Sequence, residues 1–217
     1  MPHEKTIKRL ALYLRSLRYL AEKRVEIISS EKLTEHIHAS PAQVRKDLAC
    51  FGEFGVPGVG YQVKKLIAEI ESILGLKEKR EVALVGIGKL GGALLAYTGF
   101  RKFGFRISAL FDNNPEKIGK KISGLKIEDV VRIEEVLKRR KIKIAITTVP
   151  ATNAQEVANR LVAAGIKVIL NFAPHYLNIP QGIIINTIDM AIELECLAYY
   201  LTYKKQSRAS STTTNLT

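Results

Sequence analysis

The sequence predicts an α/β protein: a small helical domain, then a doubly wound parallel sheet, then a last helix. Three observations carry that prediction. The apolar run Val82–Val85 reads as a buried strand and turns through Gly86-x-Gly88-x-x-Gly91 into an Ala- and Leu-rich helix. Further apolar runs alternate with helical patterns as far as Tyr200, the rhythm of a parallel sheet. Ahead of them, three helical patterns lead into a glycine-dense stretch that cannot be helical. At 217 residues and 47% hydrophobic, the chain suits one large or two small domains with real cores.

The first helix spans Lys5 to Ala21, with Ile7, Leu10, Ala11, Leu14, Leu17 and Leu20 on one face and Lys8, Arg9, Arg15 and Arg18 on its polar side. Ser29 or Ser30 caps a short second helix that passes through Leu33 to Ile37, and His38-Ala39 connects it onward. Ser40-Pro41-Ala42-Gln43 then starts a helix, because a capping serine, a proline at the first helical position and a glutamine three residues on all favour a helix N-terminus. Val44, Leu48 and Phe51 face inward from it, while Gln43, Arg45 and Lys46 point elsewhere. Gly52 to Tyr61 suits a short β-hairpin, so the N-terminal part reads as a winged helix whose third helix enters the major groove while the wing lies along the phosphates. A three-helix bundle with a basic surface also serves as a docking or dimerisation module. Side-chain chemistry favours DNA: Arg and Lys bond guanine O6/N7 or phosphate, and Gln reads adenine bidentately. Another amphipathic segment, Val63 to Leu74, ends at Gly75, and the charged joint Leu76 to Arg80 puts the domain boundary near residue 78.

In the second part, the first glycine of the motif allows a tight turn, the second lets the backbone approach a pyrophosphate, and the third lets helix pack closely on strand. The phosphate would sit on unpaired N–H groups at the helix N-terminus. A second strand, Ile107–Phe111, ends in Asp112, 21 residues after Gly91. A carboxylate there accepts both ribose hydroxyls of an adenosine and repels a 2′-phosphate, so the expected ligand is NAD(H) rather than NADP(H). Asn113 to Gly119 is turn chemistry, Val131 to Arg140 a helix, and Ile142 to Thr147 a third strand ending in Thr148-Val149-Pro150 on the carboxyl edge of the sheet. A helix from Thr152 to Ala164, strands Lys167–Leu170 and Gly182–Asn186, and a helix from Asp189 to Tyr200 complete a Rossmann-like sheet.

The net charge of +13 suggests a polyanionic partner, but it is spread along the chain: 15 Lys+Arg against 10 Asp+Glu in residues 1–80, and 19 against 11 in residues 81–217. The densest cluster, Lys138 to Lys143, reads as cations complementing a helix C-terminus. No apolar run approaches the ~20 residues that cross a bilayer, and the N-terminus has no apolar signal region, so the expected location is the cytoplasm. Cys50 and Cys196 are isolated thiols without metal-ligand spacing, so no metal is expected. His175 is the sole histidine of the α/β half and the one obvious acid–base candidate for a rival reading as an NAD-dependent oxidoreductase. A further rival keeps the fold and exchanges the ligand for another nucleotide such as coenzyme A.

Ala42-Gln43-Val44-Arg45-Lys46-Asp47-Leu48 with Phe51-Gly52, Gly58-Val59-Gly60-Tyr61, Gly86-x-Gly88-x-Leu90-Gly91, Phe111-Asp112 with Pro115-Glu116-Lys117-x-Gly119, Thr148-Val149-Pro150 and Asn171-Phe172-Ala173-Pro174 follow one another over roughly residues 5–200. With these motifs in this order the chain resembles the Rex family of redox-sensing transcriptional repressors. The resemblance implies no catalysis, but a homodimer that leaves a palindromic operator when NADH rises relative to NAD+, with each C-terminal helix swapped across to the partner. The chain is thus expected to divide into a DNA-binding domain (1–78), an NAD(H)-binding domain (79–187) and a swapped helix (188–203), while residues 204–217, which carry no family motif, are expected from their Lys/Arg start and Ser/Thr-rich end to be a disordered tail. The implied DNA-facing residues are Ser40, Gln43, Arg45 and Lys46, with Gly58, Gly60 and Tyr61 in the wing. Around the dinucleotide the resemblance implies Gly86, Ile87, Gly88, Lys89, Leu90, Gly91, Asp112, Thr148, Val149, Pro150, Asn171 and Phe172. Tyr97 and the Asp189 of a second chain are expected beside the nicotinamide, with Arg15 as the alternative partner of Asp189 in a charge-controlled switch.

Overall fold

The computed structural model describes residues 2–35, 37 and 39–212. Their contacts divide into two units, Met1–Lys79 and Arg80–Thr217.

The first unit holds helices α1 (Glu4–Glu22), α2 (Ser30–Thr34), α3 (Pro41–Ala49) and α4 (Val63–Ile73), with strands β1 (Ile27–Ile28), β2 (Gly55–Val56) and β3 (Gly60–Gln62). Ser29 and Ser40 cap α2 and α3 by accepting the N–H groups of Lys32 and Gln43, and Pro41 opens α3. Val56-Pro57-Gly58-Val59 forms the wing turn, closed by the Val59 N–H on the Val56 carbonyl, with Gly58 at φ +75°. Two details depart from expectation. The hairpin recruits β1 into a three-stranded antiparallel sheet, order β1-β3-β2. The buried face of α1 is also rotated: Leu10, Leu14 and Leu17 are buried as expected, but Thr6 and Tyr13 join them while Ile7 and Ala11 are exposed. The rotation follows from Asp47, a buried carboxylate on α3 that draws Thr6, Arg9 and Tyr13 toward itself.

The second unit contains β4 (Arg80–Val85), α5 (Lys89–Ala96), α6 (Gly99–Lys102), β5 (Phe105–Asp112), β6 (Lys121–Ile122), β7 (Leu125–Asp129), α7 (Ile133–Arg140), β8 (Ile144–Thr147), α8 (Ala151–Ala163), β9 (Val168–Asn171), β10 (Ile184–Thr187) and α9 (Met190–Thr212). The sheet order is β10-β9-β8-β4-β5-β7-β6, parallel throughout except for the β6–β7 hairpin. From β4 the chain runs outward through β5 and β7, then returns to β8 on the other side of β4. The carboxyl ends of β4 and β8 therefore flank a topological switch point, where ligands bind in open α/β sheets. Ala83, Val85 and Phe111 pack with α7 and α8 residues on one face; Val82, Leu84 and Leu110 pack with Leu94, Leu95 and Phe100 on the other.

The reading by periodicity misses the β6–β7 hairpin. β6 has only two residues and β7 alternates over just Leu125 to Glu128, although Ser123 and Gly124, both at positive φ, make the two-residue turn. The last helix also runs to Thr212, beyond the expected end near residue 203, and residues 204–212 are helical rather than a disordered tail. No glycine or proline interrupts Ala191 to Thr212, so nothing in the backbone ends the helix sooner. Residues 213–217 of the expected tail lie outside the described residues. Along α9, Ile192, Leu194, Leu197, Tyr200 and Leu201 are all more than half exposed. Among the described residues no helix is long and apolar enough to cross a membrane.

Candidate functional site

At the switch point the three motif glycines do different work. Gly86 turns the chain at φ +92°, and its carbonyl accepts the Thr148 hydroxyl at 2.6 Å, tying the loop to the end of β8. Gly91 is buried, and a Cβ there would stand 2.0 Å from the Gly86 carbonyl oxygen. Its bare Cα is what lets α5 cross so close to the strand. Gly88 is exposed at an ordinary φ of −83°, and a Cβ on it would meet nothing within 4 Å. Nothing in the fold around it requires glycine, which fits a backbone left bare for an incoming group. No side chain caps α5, so its first N–H groups have no side-chain acceptor, as an anion seat requires.

Asp112 is 5% exposed at the end of β5. Its Oδ2 accepts the Ile87 N–H at 2.7 Å and the Lys117 ammonium at 3.2 Å, and its Oδ1 accepts the Asn114 N–H at 2.9 Å. Burial works to raise its pKa, but the bonds from Asn114, Ile87 and Lys117 outweigh it and hold the carboxyl below its ordinary value. The carboxylate thus pins the glycine loop, and the Ile87 N–H is spent on Asp112 rather than offered to a phosphate. Lys117, which periodicity had no means of singling out, stands beside it.

Asn171 is a correction. Its side chain is wholly buried, so it does not line an open site. Its Oδ1 accepts the Thr147 hydroxyl at 2.9 Å and the Ala173 N–H at 3.0 Å, while its Nδ2 donates to the Ala173 carbonyl and the Thr187 hydroxyl. It clamps the carboxyl ends of β8, β9 and β10. Replacing it with alanine orphans several buried partners and is expected to cost about 2–4 kcal/mol, read as a lowered urea midpoint.

Thr148 spends its hydroxyl on the loop, Val149 is partly buried against the core, and Pro150 is exposed at the start of α8. Phe172 is half-buried against the α5 face of the sheet, its N–H on the Thr147 carbonyl. Lys89 is exposed and Leu90 half-buried in the first turn of α5. Tyr97 ends α5, is 53% exposed, and meets the Phe100 ring edge-on at 5.1 Å. Asp189 caps α9 by accepting the Ala191 N–H at 2.9 Å. His175 is exposed in the turn after Pro174. Among the described residues no group of His, Cys, Asp and Glu is placed to hold a metal ion.

On the first unit, Arg45 and Lys46 are exposed on α3, and Arg45 donates to the Ser30 hydroxyl at 2.7 Å. Gln43, in the first turn of α3, donates its side-chain N–H to Asp47 at 2.7 Å. Asp47 also accepts from Tyr13 at 2.8 Å and from both Nε and Nη2 of Arg9. Burial works to raise its pKa; Arg9, Tyr13 and Gln43 together hold it below the usual value. Sequence reasoning overlooked Asp47, yet a signal was there: it sits three residues after Val44 and one before Leu48, a carboxylate on an inward stripe that demands buried donors. One wing residue is also corrected: Tyr61 is buried in the core of its unit. Gly60 is half-buried, and a Cβ on it would stand 2.5 Å from the Ile28 carbonyl oxygen, so packing requires a glycine there. Gly58 lies open at the wing tip. Arg15 lies on α1 beside Leu12, Ser16, Tyr19 and Ile37. The basic cluster that begins at Lys138 is locally engaged: Lys138 pairs with Glu134, Arg139 with Glu135, and Arg140 donates to the Ser108 carbonyl.

Two family models match the chain, one described as a putative DNA-binding protein N-terminus over residues 2–49 and one as a CoA binding domain over residues 77–175. A redox-sensing transcriptional repressor Rex from Roseiflexus sp. (strain RS-1) is 48% identical over 200 residues, covering 92% of this chain and 91% of that protein. One from Syntrophobacter fumaroxidans is 47% identical, covering 91% of this chain and 95% of that protein. Among solved structures, RSP in complex with β-NAD+ and operator DNA superposes with a TM-score of 0.90 at 37% identity, covering 97% of each chain. RSP in complex with β-NADH gives 0.87 at 36% identity, over 96% of this chain and 98% of that one.

Proposed function

The chain belongs to the Rex family of redox-sensing transcriptional repressors, and from that premise we propose that it is a DNA-binding repressor, acting in the cytoplasm, that reads the NADH/NAD+ ratio. The observation that carries this reading is the pairing, in one chain, of a strongly capped basic helix with a glycine loop whose Gly88 is bare for no internal reason. In this reading the dinucleotide phosphates lie on the first turn of α5 at Gly88, Lys89 and Leu90, and Asp112 and Lys117 flank the adenosine ribose. When bound, NAD(H) supplies a nicotinamide ring that is positively charged when oxidised and neutral when reduced.

A ligand moves a two-state equilibrium only by its differential affinity, so a near-complete switch needs about 5.5 kcal/mol summed over the sites. Tyr97, Asp189 and Arg15 are the groups we assign to that discrimination, with Asp189 carried to the nicotinamide by the second chain of a homodimer. The exposed apolar residues of α9 support a dimer in which that helix is exchanged and covered. Twofold symmetry then matches a palindromic operator whose half-sites face one side of the duplex.

The experiment is fluorescence anisotropy on a palindromic duplex enriched by the protein, titrated in parallel with NADH, NAD+, NADPH and coenzyme A. Release at low NADH concentration alone is expected. Release by coenzyme A instead would turn the reading toward the ligand named in the matched domain model, and failure to bind any duplex would overturn it. In the same assay affinity should fall steeply with salt, and replacing Lys46 with alanine should reduce the log–log salt slope by about 0.9 if it holds one phosphate.

A further inference from the structure

We propose that Asp47 is a positioning residue for DNA reading, holding the side-chain amide of Gln43 in one orientation so that α3 offers a fixed acceptor–donor edge to an adenine. The proposal rests on the reading of α3 as the recognition helix. A glutamine amide has two ends of nearly equal shape, and only its partner decides which end faces where. Ionised Asp47 only accepts, so the Gln43 nitrogen, not its oxygen, lies 2.7 Å from Asp47 Oδ1. That bond uses one of two N–H groups. The other N–H and Oε1 remain, the pair that matches adenine N7 and N6.

The carboxylate is itself immobilised. It is 2% exposed, the Arg9 guanidinium takes both of its oxygens, and the Tyr13 hydroxyl donates to Oδ2. Arg9 in turn donates to the Thr6 hydroxyl at 3.2 Å, so one turn of α1 after another backs the same group. Buried polar networks of this kind specify one arrangement when every member is satisfied. Gln43 is the partly exposed end of that network, with exposed Lys46 three residues on along the same side of α3.

The test uses the full chain and a duplex enriched by the wild-type protein from a randomised pool. Each adenine of a half-site is replaced in turn by purine, which lacks the 6-amino group. Wild type should lose about tenfold in affinity at one adenine per half-site, the order of one good base contact. Asp47→Asn places an N–H beside the amide and lets it turn over, so this variant should bind adenine and purine duplexes alike, while its affinity for a scrambled duplex and its salt slope stay as in wild type. Gln43→Met should lose the same discrimination, and adding Asp47→Asn to it should change nothing further. If Asp47→Asn keeps the discrimination, or weakens operator and scrambled duplex equally, the residue merely supports the fold and the proposal falls. Should that variant fail to fold, glutamine-15N spectra of the wild-type protein decide. One Gln43 side-chain proton, assigned by its absence in Gln43→Met, should be shifted downfield and slow to exchange, and two equivalent, fast-exchanging protons would refute the brace. A wild-type protein that binds DNA but enriches no sequence, or binds none, overturns the recognition-helix reading itself.

Discussion

Alanine at Gly91 is expected to abolish NADH binding and to destabilise the second unit, whereas alanine at Gly88, in the same motif, should leave stability within about 1 kcal/mol and still weaken NADH binding about tenfold or more. The contrast comes from what each new methyl group would meet. At Gly91 it would lie 2.0 Å from the Gly86 carbonyl oxygen and 2.9 Å from the Thr148 hydroxyl oxygen. A backbone carbonyl in a tight turn cannot move aside as a side chain can, so α5 must shift, at a cost of about 1–3 kcal/mol or more, and the phosphate seat shifts with it. At Gly88 the backbone angle is ordinary and the space is open, so the folded chain by itself tolerates the methyl. A pyrophosphate seated on this turn, as proposed, needs close approach there and would not tolerate it. Urea midpoints and NADH fluorescence titrations on both variants separate the effects. A Gly88→Ala protein that binds NADH as wild type does would remove the phosphate from this loop.

The second large effect is expected at Asp112. Alanine there orphans the buried Ile87 N–H and the Asn114 N–H and releases Lys117, with an expected loss of about 2–4 kcal/mol and a clear drop in NADH affinity. The sign with pH follows from the direction of the shift. Its folded-state pKa is depressed, so its contribution is full above the ordinary carboxylate range and is lost as pH falls through the folded value. The stability gap between wild type and Asp112→Ala should therefore be widest near neutrality and narrow on acidification. The ratio of NADH to NADPH affinity tests the other role. If that ratio is unchanged in the variant while stability falls, Asp112 holds the loop and does not read the ribose.

These two sites show what was legible and what was not. The α5 loop, the strand before it and the cap of α3 were readable because their determinants are local: a glycine spacing, an apolar run, a serine followed by a proline. Asp112 was readable as a residue at a strand end, but not as one already bonded to the Ile87 N–H, because that bond joins two strand ends paired only in the sheet. Lys117 stood in a quoted motif five residues after Asp112, but only the folded loop shows its ammonium on that carboxylate. Asn171 stood out in a motif beside the expected ligand, yet its burial between three strand ends makes it a clamp.

By itself, then, the sequence determined the order of the longer helices and strands, the winged-helix and Rossmann-like classes, and the glycine turn into α5, since each rests on short-range periodicity, capping and turn chemistry. Only the tertiary structure decided which face of α1 is buried, that Asp47 gathers Arg9, Tyr13 and Gln43, that Tyr61 is core, and that Gly88 alone of the motif glycines stands in open space. A buried polar group is satisfied by whatever donors the fold brings to it, often from tens of residues away, and no local pattern in the chain records that meeting.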